Sequence, residues 1–290
     1  MDYIIILLSV LVSGGLWLRY IYSYDRIEPE PISVVLKIIF LGGLISSIIA
    51  GSLNEFFSYL TGIKIASEKL SFSESFYLSS FVGFNEEIVK AVTTYYLVRN
   101  LKDLDEPIDA IIYSTSVGLG FSLFENIQYA EQFGVISVLV RSFSAMPLHI
   151  GLAAVWGYKI AEVKFLEGKN YYDHMKGSVF LAAILHAIYD FFHFYLNNLV
   201  LLFLITALFA YFLIQYIKNK LDYLSNQSPF LKAGTCSVCF TINSLNEKHC
   251  KKCNANLVQV FFIICNDCFT KNNIQDSYCI ECNAELHKNR

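Results

Sequence analysis

The chain has 290 residues, of which 55% are hydrophobic, 16% are aromatic and only 16% are charged, and its formal net charge is −3. Its mean hydropathy is +0.46. This composition excludes an ordinary soluble domain and is typical of a membrane protein.

Seven apolar runs are long enough to cross a bilayer as helices, which takes about 20 residues each. They predict an all-α polytopic membrane domain over residues 1–220. The predicted transmembrane helices are 3–22, 32–53, 76–98, 108–130, 138–158, 177–196 and 198–217.

The distribution of basic residues predicts the orientation of this domain. No basic residue precedes the first run, and Arg19 and Arg26 lie at or after its end, which suits an uncleaved anchor with its N-terminus outside. On the side of the membrane that includes the segment after the last helix, the loops contain ten Lys and Arg residues. The loops on the other side contain two, or three if Arg141 at their border is included. We therefore expect the C-terminus in the cytoplasm.

The third predicted helix contains Glu86, Glu87 and Lys90 within an otherwise apolar run. Each charged residue costs about 2.5–3.5 kcal/mol at the centre of an inserted helix, so these groups need partners. Glu86 and Lys90 are four residues apart, and an ion pair between them is the structural explanation. That pair leaves one carboxylate over.

The next three predicted helices also contain polar groups that a bilayer would disfavour. They are Glu125 and Asn126 on the fourth, His149 on the fifth, and His186, Asp190 and His193 on one stripe of the sixth. We expect Asp190 to accept a hydrogen bond from His186 and to fix its tautomer. A single buried histidine is more often a satisfied core residue, but four consecutive spans with ionisable groups indicate an active or transport site.

These motifs resemble, in order, those of the PrsW family of intramembrane proteases, which belongs to the CAAX-prenyl-endopeptidase and abortive-infection (CPBP) superfamily. The matching elements are Glu86-Glu87 with Lys90, Phe121 with Glu125-Asn126, His149, and His186 with Asp190, within residues 72–195. The resemblance implies a CPBP-like helical bundle and proteolysis in or near the membrane, with Glu86, Glu87 and His186 at the catalytic centre. Glu125 and His149 would lie beside them. A single-span anti-sigma factor is the substrate of the best-known member, so regulators of that kind are possible substrates here.

The residues alone favour a glutamate-activated water for such a reaction. All eight cysteines lie after residue 220, which excludes a cysteine nucleophile in the membrane, and no Gly-x-Ser-x-Gly motif occurs. One of Glu86 and Glu87 would act as the general base, and His186 and His149 would hold the water or the oxyanion. Glu, His and Asp residues could also hold a catalytic zinc, and the sequence leaves that alternative open, although no His-Glu-x-x-His motif is present.

The C-terminal segment contains two copies of Cys-x-x-Cys, ten residues and Cys-x-x-Cys. After a linker at 221–235, the first copy lies within 236–257 and the second within 265–286. Four thiolates at this spacing predict a zinc ribbon with one structural ion in each copy, whereas a cytoplasmic location disfavours disulfides. The predicted ligands are Cys236, Cys239, Cys250 and Cys253 in the first ribbon and Cys265, Cys268, Cys279 and Cys282 in the second. Each second pair continues as Cys-Asn-Ala, and asparagine tolerates the left-handed turn that often follows the last ligand.

The expected partners are the lipid bilayer, a membrane-protein substrate and a cytoplasmic protein or substrate tail that docks on the ribbons. Four basic residues between Cys236 and Cys282 are balanced by four acidic ones, which disfavours nucleic acid. Two other functions are compatible with the same residues. The buried groups could form a proton or ion relay in a carrier, or the protein could be a sensor or scaffold without catalysis.

Overall fold

The computed structural model is almost entirely helical in the membrane domain. It describes residues 2–63, 70–196, 198–228, 236, 238–239, 241, 243, 247–257, 262–265, 270–273 and 276–286. The first helices are α1 (Asp2–Tyr22), α2 (Ile32–Thr61), α3 (Phe72–Val98), α4 (Pro107–Phe133) and α5 (Ile136–Phe143). They are followed by α6 (Ala145–Ala161) with a π-helical turn (Glu162–Leu166), α7 (Tyr171–His174), α8 (Lys176–Tyr195), α9 (Leu199–Ser225), β1 (Phe262–Ile264) and β2 (Lys271–Asn273).

The expected multi-pass helical architecture is confirmed. Among the described residues, six helical segments are long and apolar enough to cross a membrane: Tyr3–Tyr22, Ile32–Thr61, Pro107–Phe133, Ile136–Leu166, Lys176–Tyr195 and Val200–Ser225. The third predicted span, 76–98, is the one outside this group; it corresponds to α3, which has 27 residues but carries Glu86, Glu87 and Lys90 near its middle. These charges make α3 less apolar than the other six segments, so it depends on the helices around it.

The fifth predicted span, 138–158, is two helices rather than one. The short α5 ends at Phe143, and α6 begins at Ala145. Pro147 lies in the first turn of α6, where the missing N–H would have had no helical acceptor. The position of this proline is therefore compatible with a helix that begins at Ala145.

The interior of the bundle lies around α4 and α6. Trp156, Tyr113 and Phe165 are among its largest fully buried side chains. By contrast, α1 and α9 expose large apolar side chains such as Leu8 and Phe203. Lipid would cover these surfaces in a multi-pass membrane protein, so hydrophobic residues on both faces of a helix are expected.

Two close helix contacts position the polar residues of the bundle. A Cβ atom on Gly120 of α4 would lie 2.0 Å from the carbonyl oxygen of Ile39 in α2. A Cβ atom on Gly83 of α3 would lie 2.6 Å from the backbone nitrogen of Ala187 and 2.9 Å from the carbonyl oxygen of Ala183, both in α8. Only glycine permits these distances, and the second contact lies next to His186 on α8 and one turn from Glu87 on α3.

Candidate active site

A buried polar cluster lies at the centre of the bundle, where four helices meet. It contains all six residues that the sequence predicts as catalytic: Glu86 and Glu87 of α3, Glu125 of α4, His149 of α6, and His186 and Asp190 of α8. Glu87 is fully buried, and Glu86, His149 and His186 are at most 4% exposed. The structure therefore brings together side chains that are up to about a hundred positions apart in the sequence.

Glu87 is the most extensively contacted carboxylate of the cluster. Its Oε1 accepts a hydrogen bond from Lys90 Nζ at 2.5 Å and lies 3.0 Å from His186 Nδ1. Its Oε2 accepts from Trp156 Nε1 at 3.3 Å. The ion pair between Glu86 and Lys90, which their spacing permits, does not form, and Lys90 pairs with Glu87 instead. Residues three apart also share a helix face, and the face that carries Glu87 and Lys90 is the one turned toward α6 and α8.

Glu86 has only one oxygen with a hydrogen-bond partner among the described residues. Asn54 Nδ2 of α2 donates to Glu86 Oε1 at 3.2 Å, and the Asn54 amide is itself held by Asn85 at 2.7 Å. Glu86 Oε2 is buried, has no described hydrogen-bond partner and lies 3.7 Å from His186 Nε2. One carboxylate oxygen is therefore available for a small molecule or an ion.

His186 is oriented by a different carboxylate from the expected one. Asp190 Oδ2 lies 3.6 Å from His186 Nε2, whereas Glu87 holds Nδ1 at 3.0 Å. Asp190 therefore faces the same ring nitrogen as Glu86 and does not fix the tautomer. Because Glu87 approaches from α3 across the Gly83 contact, this pairing depends on tertiary packing and could not be deduced from the spacing within α8.

Glu125 and His149 form the second half of the cluster. Glu125 Oε2 lies 2.5 Å from an Arg141 guanidinium nitrogen and 2.8 Å from His149 Nε2. Lys90 Nζ lies 3.1 Å from His149 Nδ1. Since an ammonium group can only donate, Nδ1 accepts and Nε2 carries the hydrogen that points to Glu125. Arg141 also donates to Asn126 at 2.7 Å.

Three members of this site are not predicted from the sequence, namely Asn54, Arg141 and Trp156. An arginine inside the apolar run 138–158 was a signal for the second of them. His193, which shares a stripe with His186, is not part of the cluster. Its Nδ1 lies 3.0 Å from the carbonyl oxygen of Tyr189, and its ring stacks on Tyr189.

The donor set of the cluster fits a metal ion. Glu86, His149 and His186 each offer a ligand atom, and these atoms lie within 4.8 Å of one another. His186 presents Nε2 while Glu87 holds Nδ1, which is the usual arrangement of a metal-bound histidine and its carboxylate. His149 would have to release its hydrogen bond to Glu125 in order to bind through Nε2.

The described cysteines form two separate clusters, of four and three thiols, that could hold zinc. The first contains Cys236, Cys239, Cys250 and Cys253, and the second contains Cys265, Cys279 and Cys282. None of these seven forms a disulfide with another described cysteine, while Cys268 lies outside the described residues. The sulfur atoms of Cys236 and Cys253 are 3.5 Å apart, close to the ~3.8 Å that a tetrahedral ion with ~2.3 Å zinc–sulfur bonds imposes.

The backbone after each second cysteine pair agrees with the zinc-ribbon interpretation. Asn254 and Asn283 both have φ of 58°, in the left-handed region. The predicted role of these two asparagines is therefore confirmed. Antiparallel bridges close each turn, between His249 and Asn256 in one and between Tyr278 and Glu285 in the other.

Comparison with known proteins gives the same family over most of the membrane domain. A family model described as PrsW family intramembrane metalloprotease matches residues 30–221. Protease PrsW of Geobacillus kaustophilus is 32% identical over 185 residues, which are 63% of this chain and 78% of that protein. The protein of the same name from Bacillus subtilis is 29% identical over 62% of this chain and 79% of its own length.

A third relative, Protease PrsW of Clostridioides difficile, is 29% identical over 66% of this chain and 79% of that protein. No solved structure matches. The family model covers more than half of the chain and includes every helix that contributes to the buried cluster. The chain therefore belongs to the PrsW family of intramembrane metalloproteases and is a membrane peptidase.

Proposed function

We propose that this peptidase hydrolyses a peptide bond of a membrane-protein substrate, in or next to the bilayer, with Glu86 as the group that takes the proton of the attacking water. One observation carries the assignment. Glu86 Oε2 is a buried oxygen without a hydrogen-bond partner among the described residues, 3.7 Å from His186 Nε2. A general base needs an oxygen whose lone pair is not already engaged in a hydrogen bond and lies within reach of the water.

The contacts of Glu87 support a positioning role for that residue. Both of its oxygens already accept hydrogen bonds, from Lys90 and Trp156, and Oε1 also lies next to His186. A carboxylate held in this way has little freedom to accept a further proton. Glu87 instead fixes the ring of His186 so that Nε2 points toward Glu86.

The water would lie between Glu86 and His186 and attack the carbonyl carbon of the substrate. Glu86 takes one proton from the water as the carbon–oxygen bond forms, and returns it to the nitrogen as the carbon–nitrogen bond breaks. His186 Nε2–H donates to the oxyanion of the tetrahedral intermediate. Three carboxylates within 3.7 Å, those of Glu86, Glu87 and Asp190, stabilise the positive charge that the ring needs for this step.

The metal-dependent alternative involves the same residues in another role. Glu86, His149 and His186 would hold the ion, which would supply Lewis-acid activation of the water and the carbonyl group. Metal content distinguishes the two mechanisms in the purified chain. If Glu86 acts only as a base, Glu86→Gln and wild type contain the same amount of metal per chain. A loss of about one ion in both Glu86→Gln and His186→Gln, with the zinc of the cysteine clusters retained, would favour a catalytic metal.

The proteolytic function itself is tested in the native host. We expect a new N-terminus near a transmembrane segment of some membrane protein in wild type, and its absence in strains with Glu86→Gln or His186→Ala at equal abundance. His193→Gln is the matched control, because His193 lies on the same helix outside the cluster. Identical N-termini in all strains, together with a lost proton or ion flux in the variants, would instead indicate a carrier.

We further propose the division into a membrane domain at 1–220, a linker at 221–235 and two zinc ribbons within 236–257 and 265–286, with the C-terminus in the cytoplasm. The family match, which ends at residue 221, and the two cysteine clusters support this division. The ribbons, each with one structural zinc, would dock a cytoplasmic protein or the tail of the substrate, of which an anti-sigma-factor-like regulator is one candidate. If so, Cys250→Ser should abolish crosslinking of that partner to the chain. A crosslink that persists in this variant would contradict docking through the first ribbon.

A further inference from the structure

A second group of buried acids lies at the opposite end of α4 from Glu125. It contains Asp25 and Glu30 from the segment between α1 and α2, and Glu106 and Asp109 at the start of α4. Their side chains are 4%, 1%, 1% and 0% exposed, in that order. Sixteen residues of helix separate Asp109 from Glu125, which is about 24 Å, so this group is distinct from the candidate active site.

Three of these carboxylates, those of Asp25, Glu30 and Asp109, are held through one oxygen. Asp25 Oδ2 accepts from the backbone N–H of Glu30 at 2.8 Å. Asp109 Oδ2 accepts from the backbone N–H of Glu106 at 2.6 Å, and Glu30 Oε2 accepts from the hydroxyl group of Tyr113. The protein therefore fixes the orientation of the carboxylates without using all of their oxygens.

Four other oxygens of the group have no hydrogen-bond donor in the part of the chain that the structure describes. Asp25 Oδ1, Glu30 Oε1, Glu106 Oε2 and Asp109 Oδ1 are buried and have no hydrogen-bond partner among the described residues. One oxygen each of Asp25, Glu106 and Asp109 lies within 4.8 Å of the others. Two oxygens bound to one Ca²⁺ at about 2.4 Å lie at most about 4.8 Å apart, so the spacing suits a shared cation.

The charge of the group also calls for a cation. Lys164 interacts electrostatically with Asp109, but its Nζ donates to the carbonyl oxygen of Leu104 at 2.7 Å, and one ammonium cannot neutralise four carboxylates. Buried carboxylates in such a group must therefore either retain protons or bind a positive ion.

We propose that Asp25, Glu106 and Asp109, with Glu30 beside them, form a binding site for a hard divalent cation, Ca²⁺ or Mg²⁺. All donors are carboxylate oxygens, which suit these ions and not a soft metal such as the zinc of the cysteine clusters. Ca²⁺ fits the site better, because Mg²⁺ retains several waters and the carboxylates are almost fully buried.

The ion would connect segments that are far apart in the sequence. Asp25 and Glu30 belong to the segment before α2, Glu106 and Asp109 begin α4, and the side chain of Ser228, just after α9, hydrogen-bonds to Glu106. The cation would thus brace the end of the bundle from which the chain continues to the cysteine clusters. This role is independent of the catalytic roles proposed above.

Thermal unfolding of the purified chain in detergent tests the proposal, with free zinc held constant and Ca²⁺ controlled by a selective chelator. We expect saturating Ca²⁺, or Mg²⁺ at a higher concentration, to raise the Tm of wild type by at least about 3 °C. Asp109→Asn and Glu106→Gln should lose this shift. Without added cation they should be at least as stable as wild type, because they relieve repulsion. Asp222→Asn, at an exposed position near the same end of the bundle, should retain the shift.

Equilibrium binding of radioactive calcium provides a second measurement, which does not depend on unfolding. About one ion per chain, competed by Mg²⁺ and absent in the two variants, supports the site. If neither cation binds or shifts the Tm at millimolar concentration, the proposal is overturned. Protons shared between the carboxyl groups, such as the pair Glu30 and Asp109, would then hold the group together.

Discussion

Replacement of Lys90 by methionine should unfold the bundle far more easily than replacement of any exposed lysine. Lys90 and Glu87 are both 0% exposed, and their charged atoms are 2.5 Å apart. Methionine preserves most of the length and volume of the side chain but removes the ammonium. The variant therefore leaves Glu87 as a buried carboxylate without its cation.

The expected cost is about 3–5 kcal/mol in the free energy of unfolding, the usual range when one partner of a buried ion pair is removed. A second estimate of this free-energy cost gives a similar value. Glu87 can avoid an unpaired charge by taking up a proton, and for a carboxyl group with an ordinary pKa of about 4.3 this costs about 3.7 kcal/mol at pH 7. Lys90 also lies 4.7 Å from the centre of the Phe121 ring, and the loss of that contact adds to the cost.

The assay is reversible unfolding of the purified chain in mixed micelles, with Lys37→Met as the control because Lys37 is exposed on α2. The control should change the free energy by less than about 0.5 kcal/mol. The double variant Glu87→Gln/Lys90→Met removes both charges and should be more stable than Lys90→Met by about 2 kcal/mol or more. It should still be inactive, because His186 has lost the carboxylate that orients it.

A destabilisation of less than about 1 kcal/mol for Lys90→Met would refute the reasoning. The same holds if the double variant is no more stable than the single one. In either case Glu87 would not depend on Lys90 for its burial, and the short distance between them would have no energetic meaning.

Three further predictions concern other parts of the chain. Gly83→Ala should cost about 1–3 kcal/mol in the free energy of unfolding and lower cleavage, because the added Cβ would lie 2.6 Å from α8. The control Gly51→Ala, whose Cβ would have nothing within 4 Å, should be neutral or stabilising, and equal effects of the two variants would contradict the close contact at Gly83. Arg141→Gln should lower cleavage at least about tenfold at unchanged abundance. Arg141→Lys should also be inactive, because an ammonium lacks the planar guanidinium group that donates to both Asn126 and Glu125, and an active lysine variant would contradict this role. Asn254→Val and Asn283→Val should each weaken zinc retention against a chelator about tenfold, because a left-handed φ costs a β-branched residue about 1–2 kcal/mol. Unchanged zinc retention would contradict that cost.

Most of the helical architecture could be predicted because a long apolar run is enough to identify a segment that enters a membrane. The predicted span 177–196 corresponds to α8 at Lys176–Tyr195. The boundary between α5 and α6 could not be found in this way, because Ser144 lies within an apolar run and does not change its average hydropathy. A proline in the first turn of a helix shows only where a helix can begin.

The composition of the candidate site was predictable, but its pairing was not. Buried charges are costly enough in a bilayer to be recognised in a sequence, and Glu86, Glu87 and His186 were found for that reason. Glu86 and Glu87 are both within reach of Lys90 on α3, so the spacing alone does not decide which of them it meets. The close contact at Gly83 fixes which face of α3 meets α8, and Glu87 and Lys90 lie on the face that contacts α6 and α8.

The pairing of charges also distinguishes the residues that stabilise the structure of the site from those that can react. Lys90 neutralises Glu87, and Arg141 neutralises Glu125, so these four side chains form two fixed pairs. Among the described residues, no lysine or arginine pairs with Glu86, and its second oxygen has no hydrogen-bond partner. Glu86→Gln should therefore abolish cleavage with little loss of stability, while Glu87→Gln should abolish cleavage and destabilise the bundle. Two adjacent glutamates that are equally essential for activity would then be distinguished by the free energy of unfolding.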